Sequence, residues 1–288
     1  MLICGACERE LPGESYSDEQ RGRRQSCRRC EGCAASGNEL VLMRRGLVRL
    51  EEDDCSICSL PLPHDPSRSM FKPCCLKLMC NGCLLAARKR DILDCPFCRS
   101  PSPKKGQTLA MVRKRADAGD PMAMCTLGNN YRLGDYGLER DATRAVDLLE
   151  RAAELGVKEA HCTLGYIYDE GRIVERDIAK AIGHYEAAAV SGHVIARYTL
   201  GCKEEDAENY DLAVKHSLIA AKLGHDDSLD MVKSFFMRGL ATKDDYASAL
   251  RGHQSAADEM KSRDRDEADE AKTFVDKVLD NYLKSLKK

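Results

Sequence analysis

Eight cysteines within 44 residues are the side chains whose spacing most strongly indicates chemistry in this chain. Six of them form three C-x2-C pairs and two are adjacent, in the order Cys55, Cys58, Cys74, Cys75, Cys80, Cys83, Cys95 and Cys98. Zinc takes four thiolates at tetrahedral geometry, and a C-x2-C turn supplies two of them from one tight loop. The stretch therefore predicts two interleaved zinc sites.

A second group of cysteines, near the N-terminus, predicts one further zinc site. The pair Cys4 and Cys7 is followed by three more cysteines in C-x2-C spacing, Cys27, Cys30 and Cys33. Five cysteines therefore compete for four places. We expect Cys4, Cys7, Cys30 and Cys33 to hold the ion and Cys27 to be spare. The alternative is that Cys27 and Cys30 form the second pair, with Cys33 left out.

Composition and charge exclude several functional classes. The 288 residues include 45 basic and 47 acidic side chains, and a net charge of -2 argues against a general nucleic-acid or membrane-surface binder. The basic run at 21–29 has acidic neighbours, so we expect it to be a solvated face. We find no apolar run long enough to span a bilayer and no signal peptide, and we expect the cytosol or nucleus. Cysteines stay reduced there, and C-x2-C spacing then indicates metal binding.

The composition of the chain changes near residue 100, where a short linker of turn-forming residues, 101–106, begins. Thirteen of the sixteen cysteines precede residue 99. Beyond the linker, small residues recur with separations of 37, 36 and 32 residues, at Gly119, Gly156, Gly192 and Gly224. Such self-similarity predicts stacked units of helix, loop, second helix and glycine stop, whose shared core forms only on stacking.

The repeated stretch A-x3-L-G-x2-Y-x2-G, a following Asp141 or Asp177, and a closing A-A-x2-G resemble Sel-1-like repeats, which are relatives of the tetratricopeptide repeat. The resemblance covers about residues 107–260. It implies an α-α solenoid that binds a protein substrate or another protein partner.

The central cysteine stretch resembles an all-cysteine RING finger. The resemblance implies a cross-brace, in which the first and third ligand pairs share one zinc ion and the second and fourth pairs share the other. One ion would be held by Cys55, Cys58, Cys80 and Cys83, and the other by Cys74, Cys75, Cys95 and Cys98. The adjacent pair departs from the family pattern, because Lys77 stands where a histidine is usual. The alternative is that only one cysteine of this pair binds and His64 substitutes.

The RING resemblance also implies a function as a ubiquitin–protein ligase. RING domains dock a ubiquitin-conjugating enzyme through an apolar groove, and the matching positions here are Ile57, Leu84, Leu85, Pro96 and the basic residue Arg99. Catalysis would be positional, with no covalent intermediate on the ligase. A non-catalytic zinc-binding interaction scaffold is the alternative, and a nucleic-acid-associated zinc factor is a weaker third reading.

The N-terminal C-G-A-C-E-R-E-L-P-G-E-S-Y-S-D-E-Q with the later C-R-R-C-E-G-C resembles a small Stc-type zinc domain. We therefore expect a mainly α protein whose zinc modules precede a helical solenoid. The expected order is a four-cysteine element (1–38), a connecting helix (39–52), a RING-type finger (53–100), the linker (101–106), the repeats (107–260) and a charged helix capping the last repeat (261–288). The charge run of that last helix is expected to be its solvated face.

Overall fold

The first hundred residues form short strands and short helices. The protein's structure is a computed structural model, which describes residues 1–101, 103 and 106–273. Strands β1 (Leu2–Ile3) and β2 (Glu10–Leu11) pair antiparallel and precede the short helices α1 (Asp18–Gly22), α2 (Glu31–Ala35) and α3 (Val41–Arg44). A hairpin of β3 (Ser69–Lys72) and β4 (Lys77–Cys80) then leads into α4 (Asn81–Lys89).

Consecutive helices occupy the region after the linker. They are α5 (Gln107–Asp117), α6 (Pro121–Leu133), α7 (Ala142–Glu154), α8 (Lys158–Glu170), α9 (Ile178–Val190), α10 (Val194–Asp206), α11 (Tyr210–Lys222), α12 (Asp226–Met237) and α13 (Lys243–Met260). Within the described ranges, no helix combines the length and the apolar character needed to cross a lipid bilayer. The fold is mainly α, a helical repeat solenoid.

The repeated glycines and aspartates set the helix ends. The four glycines at the repeat period follow α5, α7, α9 and α11, with φ between 83 and 90°. That left-handed conformation suits the residue just past a helix C-terminus and disfavours a side chain. Asp141 and Asp177 start α7 and α9, where each side chain accepts a hydrogen bond from the backbone N–H three residues later.

Small residues let the two helices of a unit approach closely. A Cβ atom added to Gly128 of α6 would lie 2.9 Å from Leu149 of α7, and one on Gly165 of α8 would lie 2.7 Å from the Tyr185 ring of α9. The repeated alanines of α7, α9 and α11 are buried on the facing side. The repeat pattern therefore marks the helix contacts, as expected for a solenoid.

The chain divides into two compact units, and neither is continuous in sequence. One unit joins Met1–Arg49 to Lys158–His253, and the other joins Leu50–Val157 to the segment that begins at Gln254. In the first unit, the buried Tyr16, Leu42 and Met43 belong to a core against which Val190 of α9 and Ile219 of α11 pack. The N-terminal element is thus part of the same core as these repeat helices.

The expected connecting helix over 39–52 is much shorter in the structure. Only α3 is α-helical, Arg45 is extended, and Gly46 has φ +64°. The buried guanidinium of Arg197 donates to the carbonyl oxygens of Leu42 and Arg45, both at 2.7 Å. In a longer helix, those carbonyl oxygens would accept hydrogen bonds from backbone N–H groups four residues later. Here they accept from Arg197 instead, so this distant side chain satisfies carbonyls that a helix would have satisfied.

The charged C-terminal segment is not a purely solvated face, which corrects that expectation. Residues 263–273 are helical, and Arg265 within them is only 4% exposed. Its guanidinium donates to the carbonyl oxygens of Leu60 and Pro61 in the same unit. The remainder of the expected 261–288 helix, from residue 274 onward, lies outside the described residues.

Candidate metal centres

Three groups of four cysteines converge in the structure. Within each group, the four Sγ atoms all lie within 4.8 Å of one another. The groups are Cys4, Cys7, Cys30 and Cys33; Cys55, Cys58, Cys80 and Cys83; and Cys74, Cys75, Cys95 and Cys98. We call them the N-terminal centre, the first cross-brace centre and the second cross-brace centre. Each can hold a metal ion such as zinc.

The first cross-brace centre combines a loop with the end of the hairpin. Cys55 and Cys58 come from one turn, Cys80 ends β4, and Cys83 lies in the first turn of α4. The Sγ atoms of Cys55 and Cys83 are 3.8 Å apart, and those of Cys58 and Cys80 are 3.9 Å apart. Four sulfur atoms about 2.3 Å from a tetrahedral zinc ion lie about 3.8 Å from one another, so this spacing fits zinc.

The second cross-brace centre takes both adjacent cysteines. Cys74 and Cys75 have Sγ atoms 3.7 Å apart, and the Sγ atoms of Cys75 and Cys95 are 3.5 Å apart. His64, the alternative donor, is not in this group. Lys77, at the place of the usual histidine, instead puts its ammonium 5.2 Å from the Phe97 ring centroid.

The N-terminal centre leaves Cys27 outside. Its thiol is buried and accepts a hydrogen bond from Arg24 Nη2 at 3.3 Å. The same guanidinium pairs with Glu186 and with the buried Glu204, both on repeat helices of this unit. The basic run at 21–29 is therefore not simply a solvated face. Arg24 belongs to this run and pairs with residues that are distant in the sequence, so the local sequence does not reveal the contact.

The C-x2-C turns that begin at Cys4, Cys55 and Cys95 share one backbone arrangement. The N–H groups of Glu8, Ser59 and Arg99 each donate to the carbonyl oxygen of the cysteine that opens the turn, at 2.8 Å. These three residues have φ between 54 and 58°, a left-handed conformation that non-glycine residues rarely adopt. The opening cysteine then donates its own N–H to the carbonyl five residues later. Each turn thus aims two thiols at one point.

Among the clustered thiols, hydrogen bonds lower some pKa values and burial raises others. A hydrogen bond from Cys80 lowers the pKa of Cys55 to about 4, whereas burial raises the pKa of Cys83 to about 12. In the second cross-brace centre, hydrogen bonding to Ser100 lowers the pKa of Cys98 to about 6, and burial raises that of Cys74 to about 11. Four thiolates therefore need a cation between them, and a bound dication would supply that charge.

Only some of the expected conjugating-enzyme contacts come together. Leu84 and Pro96 line one cavity of about 280 Å³ beside α4, together with Ala87, Ile92 and Leu93, which the sequence reasoning missed. The other predicted contacts are not among its lining residues: Ile57, which is 44% exposed, the half-buried Leu85 and the exposed Arg99. Ala87 lies near the C-terminal end of α4, and Ile92 and Leu93 lie in the loop after it. Their apolar character was the sequence feature that could have identified them.

The family model that matches this chain covers part of the helical region. The Sel1 repeat family matches residues 121–157, 158–193 and 203–225. Human protein sel-1 homolog 2 is 29% identical over 98 residues, 34% of this chain and 14% of that protein. An uncharacterised protein of Neisseria meningitidis is 27% identical over 229 residues, covering 56% of this chain and 49% of its own length. The chain thus spans less than half of either relative.

Among solved structures, a Sel1 repeat protein from Oxalobacter formigenes is 23% identical with a TM-score of 0.49, covering 62% of this chain and 71% of its own. The first two matched segments coincide with the helix pairs α6–α7 and α8–α9 and their glycine stops, and the third covers the end of α10 with α11 and its glycine stop. The chain therefore contains Sel1 repeats, beside three cysteine centres that can hold metal ions.

Proposed function

We propose that the protein is a RING-type ubiquitin–protein ligase whose Sel1 repeats bind its substrate or another protein partner. Sel1 repeats generally mediate protein–protein binding, which supports the scaffold part of the proposal. The cysteine centres support zinc binding. The ligase activity, the conjugating enzyme as partner and the individual roles of the groove residues are our inference from how these parts are arranged.

The observation that carries the proposal is the alternation of ligand pairs along the chain. The first and third pairs, from Cys55 and from Cys80, form one group of thiols. The second and fourth pairs, from Cys74 and from Cys95, form the other. Two independent zinc fingers in series would instead group neighbouring pairs. The alternation matches the cross-brace arrangement of RING domains, and metal bound at both centres would fix the relative placement of the two metal loops and α4.

That placement supplies a surface for an apolar partner. The cavity beside α4 combines Leu84 and Ala87 of the helix with Ile92, Leu93 and Pro96 of the following loop. Ile57 of the first metal loop is also exposed, at 44%, but it lies outside the lining of this cavity. Exposed apolar side chains grouped at one place mark protein-interaction sites more often than lone exposed ones do.

In this mechanism the protein performs no bond-making step of its own. Zinc, when bound, would hold the loops in place and take no part in the transfer. The groove residues would bind the conjugating enzyme, and Arg99 would orient its thioester-linked ubiquitin. A substrate lysine, as the neutral amine, then attacks the thioester carbon and the conjugating enzyme's thiolate leaves. The nitrogen loses a proton to water as the amide forms, and the acceleration comes from restricted geometry.

The test is the discharge of ubiquitin from a panel of charged conjugating enzymes onto free lysine. We expect the zinc-loaded full-length protein to accelerate discharge, and Ile57→Ala to lower the rate about tenfold or more, as for an interface anchor. Leu78→Ala is the matched control, because Leu78 is 39% exposed on β4 and does not line the cavity. Zinc content should be equal in all three proteins.

Two results would contradict the proposal. Loss of a zinc ion from Ile57→Ala would mean that Ile57 packs the metal loop rather than a partner. A folded, zinc-loaded wild type that accelerates no conjugating enzyme would leave a non-catalytic zinc-binding interaction scaffold. The observation favouring this second function is that Ile57, Leu85 and Arg99 do not join the cavity that Leu84 and Pro96 line.

A further inference from the structure

The C-terminal strap, which we define as residues 261–273, is docked on the cross-brace module of its own unit, by which we mean residues 53–100 with both cross-brace centres. Its acidic side chains Asp269 and Glu267 pair with Arg68 and Lys89 of the module. Lys272 Nζ donates to Ser67 Oγ at 2.7 Å. These contacts lie at the exposed rim, where each ion pair contributes little by itself.

The centre of this contact is the guanidinium of Arg265. It is 4% exposed, and its Nη1 donates to the carbonyl oxygens of Pro61 and Met260 at 2.7 and 2.8 Å. Its Nη2 donates to the carbonyl oxygen of Leu60 at 3.2 Å and lies 3.6 Å from Cys58 Sγ. One buried cation therefore joins the strap to the loop of the first cross-brace centre and to one of its thiols.

The module is shaped to receive the strap. Gly82 lies between the paired thiols of Cys80 and Cys83, in the first turn of α4. A Cβ atom there would lie 2.7 Å from the backbone nitrogen of Arg265 and 2.8 Å from the carbonyl carbon of Asp264. Glycine is intrinsically poor in a helix, so its presence where the strap crosses α4 indicates close packing.

We propose that Arg265 is a positioning residue for the first cross-brace centre, and that the strap is a working part of the metal module. Four thiolates around one dication carry a net negative charge, which the guanidinium partly offsets from outside the ligand set. Its N–H bond to Cys58 Sγ stabilises the thiolate, and its bonds to Leu60 and Pro61 hold the turn that contains Ile57. Such outer contacts orient metal ligands, and their loss commonly costs about 10–100-fold in metal affinity.

A consequence for activity follows, and it rests on the proposed ligase function. Ile57 sits between Cys55 and Cys58, inside the loop that Arg265 fixes at its far end. Releasing the strap would leave this loop less ordered, and docking of a conjugating enzyme would then have to order it again. A fragment ending before the strap would therefore be a weaker ligase than the full-length chain.

The experiment follows the release of metal from zinc-loaded full-length protein to a chelator, with native mass spectrometry to count the remaining ions. For Arg265→Met we expect one ion to leave about tenfold faster than in wild type. Thiol alkylation should then mark Cys55, Cys58, Cys80 and Cys83 first. Arg263→Met is the matched control, because that arginine of the strap is 91% exposed and contacts only Glu267 among the ion pairs of the described residues.

Two further variants separate positioning from general loss of structure. Arg265→Lys keeps the charge and should recover part of the slow release, while Gly82→Ala should lift the strap and speed the release of the same single ion. In cobalt-substituted protein, Arg265→Met should shift the thiolate-to-cobalt charge-transfer band, since one N–H···S bond is lost. The band of Arg263→Met should match that of wild type.

The proposal is overturned if Arg265→Met releases its ions at the wild-type rate with an unshifted cobalt band. Equal acceleration of all three ions would overturn it too, because it would indicate unfolding rather than one positioned site. Lysine discharge by a charged conjugating enzyme is the separate readout for activity. If wild type shows none, the ligase function fails, and the metal-release result still decides the role of Arg265.

Discussion

Replacing Arg197 with methionine should destabilise the unit that joins the N-terminal element to the repeats. The side chain is 1% exposed, and its guanidinium donates to the carbonyl oxygens of Leu42, Arg45 and Ala189 at 2.7, 2.7 and 2.9 Å. Burial lowers the pKa of Arg197 to about 10, so the group is still charged at neutral pH.

The expected size follows from these contacts. Three hydrogen bonds from a charged donor are together worth about 5–9 kcal/mol. The lowered pKa corresponds to a cost of about 3 kcal/mol for burying the charge, at about 1.4 kcal/mol per pKa unit. Methionine removes both and leaves three carbonyls without this donor. We therefore expect the free energy of unfolding to fall by about 2–6 kcal/mol.

The assay is urea unfolding of the zinc-loaded protein, followed by helical circular dichroism, with limited proteolysis near Gly46. The variant should unfold at lower urea and be cut there faster, because the extended turn loses its anchor. Arg176→Met is the control, since its Nε donates to one exposed carbonyl, that of Asp169, at 2.9 Å. A loss under about 0.5 kcal/mol in Arg197→Met, or equal losses in both variants, would refute the reasoning.

Four further outcomes can be checked. Cys27→Ser should keep three zinc ions by native mass spectrometry, whereas Cys30→Ser should lose one. His216→Leu should raise the free energy of unfolding by about 1–2 kcal/mol, because neither buried ring nitrogen has a hydrogen-bond partner among the described residues. Burial holds the pKa of His216 well below its usual range, so only the unfolded chain takes up this proton as the pH drops below about 6.5. The stability of the wild type should therefore fall at low pH. Urea titrations at several pH values should show a smaller loss in the leucine variant. Gly165→Ala should lower the thermal midpoint, since the new methyl would meet a tyrosine ring at 2.7 Å. Because the pKa of Cys83 is raised to about 12, zinc binding at the first cross-brace centre must displace protons. Competition titrations should therefore give a weaker zinc affinity at pH 6 than at pH 8. The affinity should change by about tenfold per pH unit for each proton released.

The features predictable from sequence are those encoded by local spacing. A C-x2-C pair needs only a few neighbouring residues to form its turn, and the same hydrogen-bond pattern recurs after Cys4, Cys55 and Cys95. The repeat period likewise marks the glycine stops, because each stop ends a helix within its own unit. The sequence therefore predicted the Sel1 repeats, and it proposed the same sets of four cysteines that converge in the structure.

The features that sequence did not predict depend on single arginines whose partners lie far along the chain. Arg24 and Arg265 lie in charge runs that were expected to be solvated, and nothing in the local sequence marks Arg197 as a contact. In the structure they bond to groups 180, 155 and 204 residues away. Each contact changes a local expectation: a solvated basic run, a connecting helix and a solvated C-terminal face.

One physical reason accounts for two of these cases, Arg197 and Arg265. The cysteine-rich modules are small, with little apolar core of their own, so a bound metal ion would supply much of their folding free energy. Metal ligation would fix the loops around the ion, and the backbone carbonyl oxygens of those loops and their neighbours can still accept further hydrogen bonds. A guanidinium presents five N–H donors in one rigid fork and can bond several such carbonyls at once. Arg197 and Arg265 each do so, on Leu42 and Arg45 and on Leu60 and Pro61. Arginine is thus well suited to joining an irregular, metal-held segment to a regular helical one, and substitution by lysine at either position should preserve the charge yet lose most of the contact.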